Sequence, residues 1–153
     1  MKKVTCALRV FAGSGLISFI LVACDQQPTV SASSTGLMPK REYDPKVLEA
    51  GKKIFADNCA QCHGDNAQGA ANWHKRNPDG TFPPPPLNGT GHAWHHSMAV
   101  LTDMISNGIR PGEGNMPAWK DKLSPQEIEM VILWFQSLWP DPLYAAWYEQ
   151  QQR

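Results

Sequence analysis

Three stretches of the chain carry apolar residues at the three- and four-residue steps of an amphipathic helix. The first begins at Asp44 and Pro45, an N-cap residue followed by a proline in the first helical position, and runs towards residue 59. Gly51 lies inside this stretch. Because glycine costs a helix about 1 kcal/mol relative to alanine, we expect another element to pack closely against it.

The last of the three stretches has clear signals at both ends. Ser124, Pro125 and Glu127 form a capping box, and Pro140 ends the helix. Its wide apolar face must be buried. That face consists of Ile128, Val131, Ile132, Trp134, Phe135 and Leu138. We expect it to cross the first helix at Gly51.

The middle stretch, residues 97–107, predicts a third helix that ends at Asn107 and Gly108. Between the first and third helices the chain is dense in Pro, Gly and Asn, with four consecutive prolines at residues 83–86 and no alternating strand pattern. After Pro140 a short amphipathic helix follows, whose aromatic residues we expect to pack against the domain. The predicted fold is all-α, small and loop-rich.

The N-terminal residues 1–23 have the features of an export signal peptide. Lys2, Lys3 and Arg9 precede an apolar stretch of 14 residues, shorter than the roughly 20 that a membrane-spanning helix needs. An uncleaved membrane anchor is the alternative.

Cys24 ends the sequence LVAC, which resembles the lipobox of bacterial lipoproteins. The resemblance implies that Cys24 is acylated, and Asp25 resembles a signal for retention on the inner membrane. Several acyl chains hold a protein firmly on a membrane, and the Ser, Thr and Gln content of residues 24–43 is typical of a flexible tether. We therefore expect a lipid-anchored protein on the periplasmic face of a bacterial membrane, with the inner membrane favoured.

Residues 44–153 remain as one domain. In the mature chain, residues 24–153, loss of Lys2, Lys3 and Arg9 with the signal leaves 11 Lys and Arg against 14 Asp and Glu, a net charge of −3. This mildly acidic balance gives no reason to expect binding to nucleic acid. The sequence also offers no catalytic base or nucleophile and no evident small-molecule substrate, so we expect no catalytic residues.

The sequence CAQCH at residues 59–63 is a haem attachment signature. The thiols of Cys59 and Cys62 can each add to a vinyl group of one haem, and the imidazole of His63 then lies beneath the ring, where it can bind the iron. The other two cysteines fall in the signal and the lipidation site, so no second pair can complete a zinc site. The alternative for Cys59 and Cys62 is a structural or redox-active disulfide. The motif predicts one covalent haem c.

With these elements in this order, residues 47–140 resemble a class I monohaem cytochrome c. Gly51 and Phe55 on the first helix, with Val131 and Trp134 on the last, are similar to that family's crossed N- and C-terminal helices. The resemblance implies a cytochrome c fold whose crossed helices surround one covalently bound haem c.

The run Pro85-Pro86-Leu87 resembles the family's haem-lining segment. The resemblance implies that the Pro85 carbonyl accepts a hydrogen bond from His63, which fixes the imidazole tautomer, and that Leu87 lines the haem pocket. A rigid polyproline loop without this role is the alternative, because consecutive prolines leave the register open.

Met116 is the predicted distal iron ligand. It lies in the loop formed by residues 111–117, between the third and last helices, where the family carries its ligand. Three other methionines fall within predicted helices, where methionine usually fills gaps in the core; they are Met98, Met104 and Met130.

The alternative to Met116 as distal iron ligand is a histidine from the cluster His92, His95 and His96. Imidazole can displace methionine there or bind copper or zinc, and helical spacing would place His92 on one side with His95 or His96. The alternative is that these residues enter the third helix, make hydrogen bonds or line the haem edge.

A methionine–histidine pair leaves no open position on the iron, which favours electron transfer over catalysis. We expect a membrane-tethered carrier that exchanges single electrons with redox proteins in or near the membrane. Three alternatives remain: a gas-binding haem sensor with a labile distal ligand, a cytochrome subunit of a larger oxidoreductase complex, and a haem-free copper or zinc protein.

Overall fold

The computed structural model describes residues 40–153, which form five α-helices and one 3-10 helix. The α-helices are α1 (Pro45–Asn58), α2 (Ala60–His63), α3 (Met98–Asn107), α4 (Pro125–Ser137) and α5 (Asp141–Gln151), and the 3-10 helix is Ala93–His95. These residues contain no strand, only an isolated parallel bridge between Phe82 and Gly114. The prediction of a small, loop-rich, all-α domain is confirmed.

The predicted export signal at residues 1–23, the lipidation site Cys24 and the tether up to residue 39 lie outside the described residues. Between residues 40 and 153, no helix is both long and apolar enough to cross a membrane.

The crossing of α1 and α4 forms the centre of the fold. A Cβ atom on Gly51 would overlap the Met130 carbonyl oxygen and lie 3.0 Å from Cβ of Trp134, so only glycine allows this approach. One turn further along α1, the ring of Phe55 packs on the indole of Trp134 with centroids 4.4 Å apart. The predicted close contact at Gly51 is confirmed, and the glycine accounts for it because it removes the side chain at the crossing point.

The predicted caps of α1 and α4 are also confirmed. The Asp44 carboxylate accepts a hydrogen bond of 2.8 Å from the backbone N–H of Lys46. At α4, the Ser124 hydroxyl accepts from the N–H of Glu127, and the Glu127 carboxylate accepts from the N–H of Ser124 at 2.8 Å. The N-terminal ends of α1 and α4 are therefore both fixed by side-chain hydrogen bonds.

The third predicted helix, α3, starts after the N-cap residue Ser97, and its buried residues Leu101 and Ile105 face the core. The following loop is held to α3 because the N–H of Trp119 donates to the Ile105 carbonyl at 3.1 Å. This bond fixes the end of the loop that carries Met116.

α4 ends at Ser137, three residues before Pro140, so Leu138, which was predicted to lie on the buried face of this helix, is outside it and exposed. The buried Trp139 lies in the turn that leads to α5. α5 is the predicted C-terminal helix, and its Trp147 is buried, as expected for an aromatic residue that packs against the domain. Tyr148 on the same helix is exposed.

The last residues assigned to the tether pack against this C-terminal region. The Arg41 guanidinium lies 4.5 Å from the ring centre of Tyr144 and 2.8 Å from the Asp141 carboxylate, and it donates to the Gln136 carbonyl at 3.2 Å. The ring of Tyr43 also meets Tyr144, edge to face. The domain therefore includes contacts from Arg41 and Tyr43, which precede the predicted boundary at residue 44.

Candidate haem-binding site

A cavity of about 650 Å³ opens between α1, α3, α4 and the long loops. This volume lies within the range of about 300–1,000 Å³ that is typical of cofactor sites. Its wall is mostly apolar, and the contributing side chains include Phe55, Leu87, Leu101, Ile105, Ile109, Trp119, Val131 and Phe135. Every residue that the sequence predicts to bind the cofactor or the iron lines this cavity.

The CAQCH segment forms one part of this wall because the chain turns directly from α1 into the one-turn helix α2. The N–H of Cys59 still donates to the Phe55 carbonyl at 2.8 Å, and the Cys59 carbonyl then accepts from His63 at 3.0 Å. Cys59 is half-buried, Cys62 is exposed, and both are free thiols. Burial, together with the neighbouring Cys62, raises the pKa of Cys59 to about 11.

His63 is buried and its ring is oriented by a backbone carbonyl. Its Nδ1 lies 2.9 Å from the carbonyl oxygen of Pro85. A carbonyl can only accept, so Nδ1 carries the hydrogen and Nε2 keeps its lone pair free for a metal. Burial lowers the pKa of His63, which favours the neutral imidazole that metal binding requires.

A tight loop after α2 brings the proline segment to His63. The N–H of Gly69 donates to the His63 carbonyl at 2.7 Å, and the next N–H, of Ala70, donates to Pro84 at 2.9 Å. Gly69 has a φ of +66°, and a Cβ atom there would meet the backbone of Pro85. The Ala67 carbonyl in the same loop accepts from Leu87 at 2.8 Å. These bonds set the register that four consecutive prolines leave open in the sequence.

Met116 is half-buried and lines the cavity from the loop before α4. Its backbone carbonyl accepts from the N–H of Ile109 at 3.1 Å, and the same loop is bonded to Phe82 through the Glu113 carbonyl. Met104, on α3, also lines the cavity. From its helical position Met104 was expected to fill the core. It lines this wall because of the way α3 packs on the domain.

The structure brings His92 and His96 together, which is one of the two pairings that the spacing predicts, and their rings meet edge to face at 5.8 Å. The ring of His95 lies apart from them, against Trp94 at 3.9 Å. His92 and His96 line the cavity and His95 does not. Within residues 40–153, no three His, Cys, Asp or Glu side chains are grouped so as to hold a metal ion.

Two tryptophans donate hydrogen bonds to backbone carbonyls of residues that line the cavity, a role that was not predicted from the sequence. The indole N–H of Trp139 donates to the Leu87 carbonyl at 2.7 Å, and that of Trp147 donates to the His96 carbonyl at 2.9 Å. Because a buried indole N–H needs an acceptor, the two tryptophans themselves were the sequence signal for such contacts.

These residues fit a haem. Two free thiols, an imidazole with a free Nε2 and a thioether sulfur reach one mainly apolar cavity, which combines the donor set for covalent attachment with both axial ligand types.

Comparison with known proteins shows the family of the chain. Residues 46–135 match the protein family described as cytochrome C oxidase, cbb3-type, subunit III. A cbb3-type cytochrome c oxidase subunit FixP from Bradyrhizobium sp. (strain ORS 278) is 38% identical over 108 residues, which are 69% of this chain and 31% of that protein. The subunit CcoP from Azospirillum brasilense is 32% identical over 99 residues, 65% of this chain and again 31% of the relative. The chain thus spans about a third of the length of these relatives.

Among solved structures, cytochrome CL from the marine methylotrophic bacterium Methylophaga aminisulfidivorans MPT matches with a TM-score of 0.51 and 23% identity. The match covers 72% of this chain and 67% of the other. At this identity the likeness concerns the fold, and it agrees with the predicted cytochrome c architecture.

Proposed function

Because the chain belongs to the cytochrome c family described as cbb3-type oxidase subunit III, which implies a covalently bound haem c, we propose that residues 44–153 transfer single electrons through one such haem. The observation that carries the proposal is the meeting of the CAQCH segment and Met116 at one apolar cavity. Haem supplies the one-electron Fe(III)/Fe(II) couple when bound.

Each site residue has a role in this proposal. The thiols of Cys59 and Cys62 would hold the cofactor through thioethers, and Nε2 of His63 would bind the iron. The Pro85 carbonyl holds the His63 ring in the required tautomer, and Leu87 lines the pocket, so both residues keep the ligand geometry fixed.

Met116 would supply the second ligand to the iron, a thioether sulfur, from the cavity wall. A thioether ligand raises the reduction potential relative to a second imidazole, and it leaves no open position for a substrate. The surrounding apolar side chains exclude water, while exposure of Cys62 leaves one edge of the site accessible to a redox partner.

The proposal is tested with the full chain produced in a bacterial host that matures c-type cytochromes. Mass spectrometry should find one haem added to the exported protein, and replacing Cys59 and Cys62 with Ala should remove it. An exported protein that carries a disulfide in place of haem would refute the proposal.

The distal ligand has its own test, because two methionines reach the cavity. A far-red absorption band of the oxidised protein reports methionine bound to iron. We expect Met116→Ala to abolish this band and Met104→Ala to retain it, with His95→Ala as a control outside the cavity. The reverse result for the two methionines would move the assignment to Met104. Rapid stoichiometric binding of carbon monoxide to the reduced wild type would favour a gas sensor.

We also propose that the protein is tethered to the periplasmic face of a membrane, the inner one favoured, through acylated Cys24 and a flexible segment that ends before Arg41, because Arg41 and Tyr43 pack on the domain. The sequence LVAC supports this location, and the membrane-bound redox proteins nearby are the proposed partners. Cys24→Ser should release the protein from the membrane fraction. Continued tight binding would instead indicate an uncleaved anchor.

A second candidate is that the chain serves as the cytochrome subunit of an oxidase complex. The relatives favour it, since both carry the name of a cbb3-type oxidase subunit. Native electrophoresis after mild detergent extraction distinguishes the two: comigration with oxidase activity would support the subunit, and migration as a single small species would support the free carrier.

A further inference from the structure

The 3-10 helix Ala93–His95 and its flanking histidines form a stretch of the cavity wall that the proposed electron transfer does not yet use. His92 and His96 line the cavity with their rings 5.8 Å apart. His95, between them in the sequence, is exposed and packs on Trp94 outside the cavity. The segment therefore places two imidazoles at the cavity wall, the exposed His92 and the half-buried His96, and a third away from it.

These imidazoles are nearly the only groups at the wall that can carry positive charge. No Lys or Arg lines the cavity within residues 40–153, and its remaining imidazoles are the proposed ligand His63 and His74. Neither His92 nor His96 makes a side-chain hydrogen bond to another described residue. By contrast, the nearby amide of Asn77 already donates to Thr81. The two rings thus keep donors and acceptors available to a ligand in the cavity.

The wall holds these rings in place. The indole N–H of Trp147 on α5 donates to the His96 carbonyl, and the ring of Trp73 meets that of His92 edge to face at 5.3 Å. Burial, followed by the neighbouring His92 and His95, lowers the pKa of His96. An anion in the cavity would offset this repulsion between imidazoles and favour the protonated form of His96.

We propose that His92 and His96 form the binding site for the carboxylates of the haem, and that this pair takes up a proton when the iron is reduced. The inference rests on the proposed function, because it needs a haem in the cavity. The electron comes from the redox partner and the proton from hydronium in the solvent; one N–H bond forms on an imidazole, one O–H bond of hydronium breaks, and water is left.

Proton uptake follows from electrostatics. Reduction adds one negative charge to the cavity, so an imidazole at its wall binds a proton more tightly in the reduced state. The reduction potential therefore falls as pH rises between the oxidised-state and reduced-state pKa values of the pair. The limit is a tenfold change in the reduction equilibrium per pH unit, about 59 mV for one electron.

Other titratable groups near the pair are few, and each needs a control. His95 belongs to the same segment, His74 faces the cavity from the loop next to Trp73, and Glu113 lines it from the Met116 loop. The contact from α5 to His96 is the indole of Trp147, which does not titrate in this range.

The experiment is a spectroelectrochemical titration of the haem-loaded full chain from about pH 5 to pH 9, the range in which histidine titrates. We expect the wild-type potential to fall with rising pH and the His92→Gln/His96→Gln double variant to lose most of this dependence. The matched control His95→Gln should keep the wild-type slope. Nuclear magnetic resonance of the reduced protein should show a raised pKa for His92 or His96.

The outcomes separate this inference from the proposed function. An unchanged slope in the double variant, with haem attached and the far-red band intact, overturns the site. A slope lost in His74→Gln or Glu113→Gln instead also overturns it. If the double variant does not fold, the two single variants are each expected to shift the midpoint of the titration. Absence of covalent haem from the wild type would refute the proposed function itself.

Discussion

The close crossing of α1 and α4 makes Gly51→Ala the most informative single change for the fold. In an isolated helix this substitution is favourable by about 1 kcal/mol, because alanine is the better helix former. In this protein the new methyl group would lie 2.7 Å from the Met130 carbonyl carbon and 3.0 Å from Cβ of Trp134. Both atoms are fixed to the backbone of α4, so the helices must separate.

The expected balance is a net loss of stability. Overpacking of a well-packed contact costs about 1–3 kcal/mol, and a clash with backbone falls in the upper half of that range because no side chain can rotate away. After the gain in helix propensity is subtracted, we expect a loss of about 1–2 kcal/mol in the free energy of unfolding. The contact between Phe55 and Trp134, 4.4 Å between ring centres, should loosen at the same time.

Urea denaturation of the haem-loaded protein, followed by circular dichroism, measures this free energy. Lys52→Ala is the matched control, since Lys52 is the next residue on the same helix and is exposed; its effect should stay within about 0.5 kcal/mol. The reasoning is refuted if Gly51→Ala stabilises the protein by about 1 kcal/mol, the value expected from helix propensity alone.

Two further changes test other parts of the structure. Hydrogen bonds from the backbone and hydroxyl of Ser124 lower the pKa of Glu127 below its ordinary value of 4.5. The ionised carboxylate therefore stabilises the fold above pH 4.5, and this contribution is lost as the pH falls through the lower pKa of the folded state. Glu127→Gln should therefore weaken the decline of stability below that pH in a series of urea titrations; an unchanged acid dependence would contradict it. Trp139→Phe should cost about 1–3 kcal/mol by the same assay, because the Leu87 carbonyl loses its donor, and a neutral result would show that water replaces the indole.

Helix positions could be predicted from the sequence because their signals are local. The caps at Asp44 and Ser124 are each recognised within four residues, and Gly51 together with the apolar face of the last helix indicated which two helices pack closely. The histidine segment shows the limit of this approach. The spacing of His92 and His96 allowed an α-helix, whereas the chain forms a single 3-10 turn whose position depends on a bond from Trp147, 51 residues away in the sequence.

The site itself depends on contacts that no local pattern contains. Met104 reaches the cavity because α3 packs on the core with that side towards it, and the Pro85 carbonyl reaches His63 because the Gly69 turn fixes the proline register. Both positions follow from tertiary packing, which periodicity cannot encode. A family resemblance supplied Pro85 where the sequence alone left a choice among consecutive prolines.

Stability and ligand geometry are set by different parts of the molecule. The crossing at Gly51 holds α1 and α4 together, yet the proposed ligands His63 and Met116 lie outside both helices, on a one-turn helix and a loop. Backbone hydrogen bonds position these segments, such as those that join Gly69 to His63 and Ile109 to Met116. A change at the crossing should therefore lower the unfolding free energy with little effect on the ligands. A change in the loops should alter the iron environment before it unfolds the domain.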